Sequence, residues 1–238
     1  MIESILTVAV SLFIPLLTGY SILLFLDKEH AMEMPIKIAL SYGLGLGLLS
    51  IWMLCLGIFN QPFGPITIGL PLILVSCTFL VFCFNRHSVS LKPKTSTTQI
   101  LKNHWIIKLL YYVIYIVLLT YIASNIIYVF WRALTIPVFT FDSFSTIAFK
   151  AKIFYFEKSL PSLHLLPHKT YPLFVPFVQS WVAFNLGRWD DILINVIFPC
   201  ALLSYLTIHY KFLAHFTNKT WAVLGCAFLL SSTHIISN

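Results

Sequence analysis

The 238 residues are 59% hydrophobic and only 10% charged, with 21 Phe and 11 Tyr and a mean hydropathy of +0.89, which a soluble globular surface does not tolerate. Its 15 Lys and Arg against 8 Asp and Glu give a formal charge of +7. No exposed basic domain carries that excess, so nucleic-acid binding is excluded and the cations read as orientation signals beside apolar spans. The class left is an all-α polytopic membrane protein.

Charge-free stretches run over residues 5–26, 38–85, 109–131, 192–210 and 220–238. A spanning helix needs about 20 apolar residues. The stretch 38–85 holds two, separated by the turn-like Asn60-Gln61-Pro62-Phe63-Gly64-Pro65, so six transmembrane helices are predicted. The first has no basic leader and no small-residue cleavage site, and is expected to be a retained helix. Gly43, Gly45 and Gly47 lie inside the second span with no strand before them, which excludes a dinucleotide fingerprint and predicts close helix packing through Gly43-x-x-x-Gly47. Cys55, Cys77, Cys83, Cys200 and Cys226 all fall within spans and show neither a disulfide framework nor zinc spacing.

The segment 86–108 carries Arg86, Lys92, Lys94, Lys102 and Lys108 with no acid, the strongest cytoplasmic marker in the chain. By alternation, 27–37 and 211–219 share its side, and 60–65 and 132–191 lie outside. Asn218-Lys219-Thr220 is a glycosylation sequon, but this topology puts it inside and predicts no glycan.

Two further helices are expected in the long outer loop 132–191. Phe144, Ile147, Ala148, Ala151, Phe154 and Tyr155 recur at steps of three and four over 143–158, the pattern of a one-sided helix lying along the membrane surface. A second apolar helix over 172–187 opens at Tyr171-Pro172 and closes at Gly187. At 1.5 Å per residue it reaches roughly 24 Å, short of the roughly 30 Å hydrocarbon core, so it enters the interface without crossing.

The loop gathers charge that a bilayer otherwise penalises. Its runs read Phe141-Asp142-Ser143-Phe144 through Phe149-Lys150-Ala151-Lys152-Ile153-Phe154-Tyr155, then His168-Lys169-Thr170-Tyr171-Pro172-Leu173-Phe174-Val175-Pro176 to Gln179-Ser180-Trp181, then Gly187-Arg188-Trp189-Asp190-Asp191. Over about 50 residues, 141–191, this ordered set resembles the first extracytoplasmic loop of membrane glycosyltransferases of the GT-C class, in particular the bacterial relatives of protein O-mannosyltransferases and lipid A aminoarabinose transferases. Lys169 and Thr170 stand where that family usually has Pro and Asp.

The resemblance implies transfer of a sugar from a polyprenyl-phosphate donor to the hydroxyl of a lipid or glycan acceptor, at the outer face of a bacterial inner membrane. It places the general base on Asp142. Independently, a carboxylate within hydrogen-bond reach makes a hydroxyl a competent nucleophile, and interfacial cations stabilise a leaving phosphate. Lys150 and Lys152 are candidates for that contact. They stand two residues apart and thus about 200° apart on a helix, so they cannot face one phosphate together. Lys150, nearer Asp142, is preferred, and Lys152 is expected to snorkel to headgroups. His168, Tyr171, Gln179 and Asp190 complete the substrate-binding candidates.

Each has a plainer reading. Asp142 before an amphipathic run is also an N-cap, the lysines and Tyr171 are also interfacial anchors, Gln179 is also a bundle-facing polar residue, and acids at 190 and 191 cap the next helix, Asp191 above all. No cofactor is called for. A divalent metal would have only His164 and His168, with Pro167 between them opposing a regular helix.

The expected organisation is a three-helix region over 1–104 and the start of a GT-C-like core over 105–238. Because the family continues through more spans, the chain is expected to be the N-terminal part of such an enzyme. The rival is a non-catalytic polytopic protein, an assembly scaffold or transporter subunit. A transporter would show paired broken helices and polar midplane residues, whereas the ionisable residues here collect at the loop.

Overall fold

The computed structural model describes residues 2–27, 31–84, 105–138, 143–161, 166, 168 and 170–231. In chain order these form α1 (Ile2–Leu26), α2 (Met34–Ile58), α3 (Pro65–Phe84), α4 (Trp105–Thr135), a π-helical turn (Ser143–Ala148), α5 (Phe149–Glu157), α6 (Phe174–Leu186), a 3-10 turn (Leu193–Val196), α7 (Ile197–Phe216) and α8 (Lys219–Ser231). No strand occurs among the described residues. Five helices, α1 to α4 and the unit of 3-10 turn plus α7, are long and apolar enough to cross a bilayer. The two shorter apolar helices, α6 and α8, have 13 residues each. The basic segment 86–104 and the last residues, 232–238, lie outside the described residues.

Two ends of the bundle are defined by contacts. At one, the loop end, the Phe63 amide donates to the Lys158 carbonyl at 2.6 Å, the Val138 amide donates to the Asp191 carbonyl at 3.2 Å, and the Arg188 guanidinium donates to Ser4 at 3.2 Å. At the other, the connector end, Lys37 pairs with Asp27 at 2.7 Å, Lys211 pairs with Glu33, and Tyr111 bonds Thr220. Helices α1, α2, α3, α4 and α7 therefore alternate up and down.

The α1–α2 hairpin is the tightest contact, and its chemistry is glycine. A Cβ built on Gly45 would fall inside the Pro15 carbonyl, and one on Gly19 would fall on the Ser41 carbonyl. The expected Gly43–Gly47 pair does not make the contact: both have nothing within 4 Å of such a Cβ, because residues two apart from Gly45 point well away from α1. The contact runs through Gly45 and Gly19. Asp27 closes the hairpin, accepting from the Ala31 and Met32 amides at 2.9 and 3.3 Å as well as from Lys37. Burial pushes its carboxyl up, but the hydrogen bonds from Lys37 and from both amides, with the Lys37 charge, outweigh that and hold it below the ordinary carboxylate value.

Two helix-interior prolines are resolved by the same device. Pro15 in α1 and Pro71 in α3 lack an N–H, so the carbonyls four residues earlier, on Ser11 and Thr67, lose their helical donors. An indole supplies each one: Trp181 Nε1 donates to the Ser11 carbonyl at 2.8 Å and Trp52 Nε1 to the Thr67 carbonyl at 3.0 Å. Trp181→Phe is expected to leave the buried Ser11 carbonyl unpaired and lower stability by about 1–2 kcal/mol, whereas Trp52→Phe, at an exposed bond, costs less. Melting both variants in detergent checks the order.

The main core sits at the loop end. Phe63 from the α2–α3 turn meets Phe154 and Phe177 edge-on at 6.4 and 6.1 Å, with Trp181, Val182, Ala183 and Ile194 fully buried around them. A smaller core of Leu206, Cys226 and Leu230 joins α7 and α8, with Ile122 and Ile126 of α4 against it. Helix α4 is peripheral; none of its apolar window is buried.

Candidate functional site

Asp142, the expected base, and His164 lie outside the described residues. The chain is described again from Ser143, where the regular helix expected over 143–158 is replaced by a π-helical turn leading into α5. A π turn widens the ring and rotates everything after it relative to the expected stripe. Phe144 is consequently exposed, and Thr146, Ala148, Lys150, Ala151 and Phe154 form the buried side.

Lys150 is the consequence of that rotation. Only 1% exposed, it sends its Nζ across to the segment before α6, donating to the carbonyls of His168 at 2.8 Å and Tyr171 at 3.4 Å. The Tyr171 ring lies 5.8 Å from the ammonium, a distance at which the ring face attracts a cation. Burial pulls the Lys150 pKa below the ordinary lysine value. His168 has φ +47 and is exposed, and its ring stands 5.6 Å from Tyr171. A buried cation thus holds a bent backbone whose carbonyls converge on it.

Helix α6 follows at Phe174, two residues later than the sequence suggests, and ends at Gly187 with φ +67, the left-handed stop that glycine favours. Every residue from Pro176 to Phe184 is buried. Its contacts reach well into the bundle: Ser11 lies nine residues into α1, about 14 Å at the helical rise. Ser50, which donates to the Phe174 carbonyl at 3.5 Å, lies eight residues before the end of α2, about 12 Å. Gln179 is 1% exposed, and its Oε1 has no hydrogen-bond partner.

After α6, Asp190 Oδ1 accepts from the amides of Ile192 and Leu193, both at 3.1 Å, and its other oxygen meets Arg188 at 3.3 Å. Asp190 is therefore the capping acid. Asp191, expected to be the stronger cap, instead accepts the Trp189 indole N–H at 2.7 Å. That indole is the hub that the sequence reading missed: Tyr155 packs against it at 6.1 Å and the partly exposed Lys152 stands 5.8 Å from its ring. The signal was the Trp within Gly187-Arg188-Trp189-Asp190-Asp191, overlooked in favour of its acids.

The structure brings Lys150, His168 and Tyr171 into one cluster, and Lys152, Trp189 and Asp191 into a second. Tyr155 bridges toward α6 through Phe184 at 5.4 Å. Lys150 and Lys152 face different partners, in line with their spacing. With the Lys150 Nζ engaged by two carbonyls, Lys152, partly exposed, and Arg188, exposed beside Asp190, are further cations at this rim. Among the described residues no three His, Cys, Asp or Glu side chains gather as a metal site.

Comparison with known proteins returns no match to a family model, a curated protein or a solved structure.

Proposed function

We propose that this chain is a membrane glycosyltransferase of the GT-C class, or the N-terminal part of one. It transfers a sugar from a polyprenyl-phosphate donor to an acceptor hydroxyl at the outer face of the bacterial inner membrane. One observation carries the reading: the three loop stretches that bear the resemblance pack on one another at one end of the bundle, through Lys150 to the His168 and Tyr171 carbonyls and through Tyr155 to Trp189. Residues far apart in sequence are held together where a shared site needs them.

In this mechanism Asp142 removes the acceptor proton as the sugar–phosphate bond breaks. Lys152 and Arg188 offset the charge on the departing lipid phosphate, while Lys150 fixes the loop that carries His168 and Tyr171. Gln179, buried in α6 with an unpaired amide oxygen, and Asp190, which fixes the turn into α7, are the remaining substrate-binding candidates. The loop end is assigned to the outer face because residues 86–108, basic and free of acids, join the opposite helix ends.

The test is sugar transfer in membranes supplied with labelled polyprenyl-phosphate sugars. Asp142→Asn is expected to lower transfer by roughly 10²–10⁴-fold at unchanged protein level, with Asp142→Glu recovering part of it. Full transfer by the Asn variant removes the base, and no transfer by the wild type with any donor favours the scaffold reading.

A further inference from the structure

A second candidate ligand site lies at the connector end, away from the loop. A cavity of about 400 Å³ opens between α4, α7 and α8. Its walls include Leu119, Ile126, Leu203 and Leu206, and its polar residues include Tyr115, Thr207, Tyr210 and Lys211, the last two in the closing turns of α7 at the connector end. From Tyr115 to Ile126 the α4 wall runs eleven residues, about 16 Å. Leu119 and Leu203 remain 43% and 38% exposed, so the apolar lining is open to an occupant and not sealed by the protein.

We propose that this groove holds an acyl chain of an anionic phospholipid, with the lipid phosphate at Lys211. Charge selects this occupant. Residues 27–37, 86–108 and 211–219, which border or join the helix ends on this side, carry nine Lys and Arg against three acids, and such segments gather anionic lipid. Lys211 is paired with Glu33, whose carboxylate side chain is 64% exposed. An exposed pair of this kind is held weakly, so Glu33 turns to water as a phosphate takes its place. The geometry matches a lipid in this leaflet: an apolar channel along α4 and a cation with two tyrosine hydroxyls where the headgroup lies.

The full chain, placed in nanodiscs of mixed phosphatidylglycerol and phosphatidylcholine and released for native mass spectrometry, reads the retained lipid directly. Wild-type protein is expected to retain phosphatidylglycerol over phosphatidylcholine by roughly fivefold, the size of one lysine at an anionic surface. Lys211→Gln brings that ratio to near one. Leu203→Trp and Leu119→Trp, filling the groove from facing walls at partly exposed positions, remove retained lipid of both kinds. Phe228→Trp, 79% exposed and outside the groove, changes nothing. Melting temperatures separate a filled groove from a misfolded variant, since two independent fillers must both lose lipid while remaining folded. Equal retention of the two lipids, a ratio indifferent to Lys211→Gln, or lipid surviving both fillers overturns the proposal. So does a dimer that the fillers dissociate, because a second copy would then occupy the groove.

Discussion

Gly45→Ala is expected to cost about 3 kcal/mol or more, the upper end of overpacking penalties, and Gly45→Leu to abolish the folded protein. The added Cβ meets the Pro15 carbonyl and the backbone beside it, and backbone cannot rotate aside as a side chain can. To admit it, α1 and α2 must separate along the seam that also holds Gly19 against Ser41. Separation then propagates to Trp181, because its bond to the Ser11 carbonyl ties α6 to the same helix. Gly43→Ala and Gly47→Ala are the controls: both positions are open, and alanine gains up to about 1 kcal/mol of helix propensity. Unfolding in detergent, followed by loss of the monodisperse species with heat, measures all four variants. If Gly45→Ala melts with Gly43→Ala, the seam is not where the backbones touch.

The sequence made the helices legible because composition alone sets them: a span of 19 to 27 apolar residues has no other stable form in lipid. The turn at Asn60 and the stop at Gly187 were equally readable, since both adopt positive φ and carry the residue types that tolerate it. The glycine seam was only half readable. Three glycines at alternate positions announce a close approach, but which of them faces α1 depends on helix rotation, set by distant partners such as Tyr42, whose hydroxyl donates to the Ile197 carbonyl at 2.8 Å. Phase was also what escaped at α5. Periodicity gave an apolar stripe through Phe144 and Ile147, but the π turn shifts the register, and nothing in Ser143-Phe144-Ser145-Thr146 signals an extra residue per turn. For the candidate site, the sequence singled out Lys150, His168 and Tyr171, which lie together, but neither Trp189 nor what each residue touches. Lys150 reads as a phosphate contact because it is a loop cation nearer Asp142 than Lys152 is. Its partners are backbone carbonyls, which leave no mark on a sequence.

Lys150→Met removes that cation while keeping most of the stem, and is expected to lower the stability of the loop end by about 2–4 kcal/mol. Two hydrogen bonds from a charged donor are lost, each worth about 1.5–3 kcal/mol, offset in part by relief of the cost of burying the charge. The effect should be local. The chain around Tyr171, whose carbonyl Lys150 holds, becomes open to protease and the first amides of α6 exchange faster, while α7 and α8 keep their protection. A pH series adds a signature that packing loss alone does not produce. Burial lowers the Lys150 pKa in the folded protein, so between that value and the ordinary one near about 10.4 the unfolded chain binds more protons, and stability rises with pH across that window. The wild type gains as the ammonium deprotonates; the Met variant has no proton to lose there, so the gap between them widens as pH rises across that window. Were Lys150 instead the donor-phosphate contact and nothing more, the variant would leave protease resistance and amide exchange unchanged and lose only donor affinity. The loop would then be held by its other contacts, among them the Phe63, Phe154 and Phe177 cluster and the Phe63 amide bond to the Lys158 carbonyl.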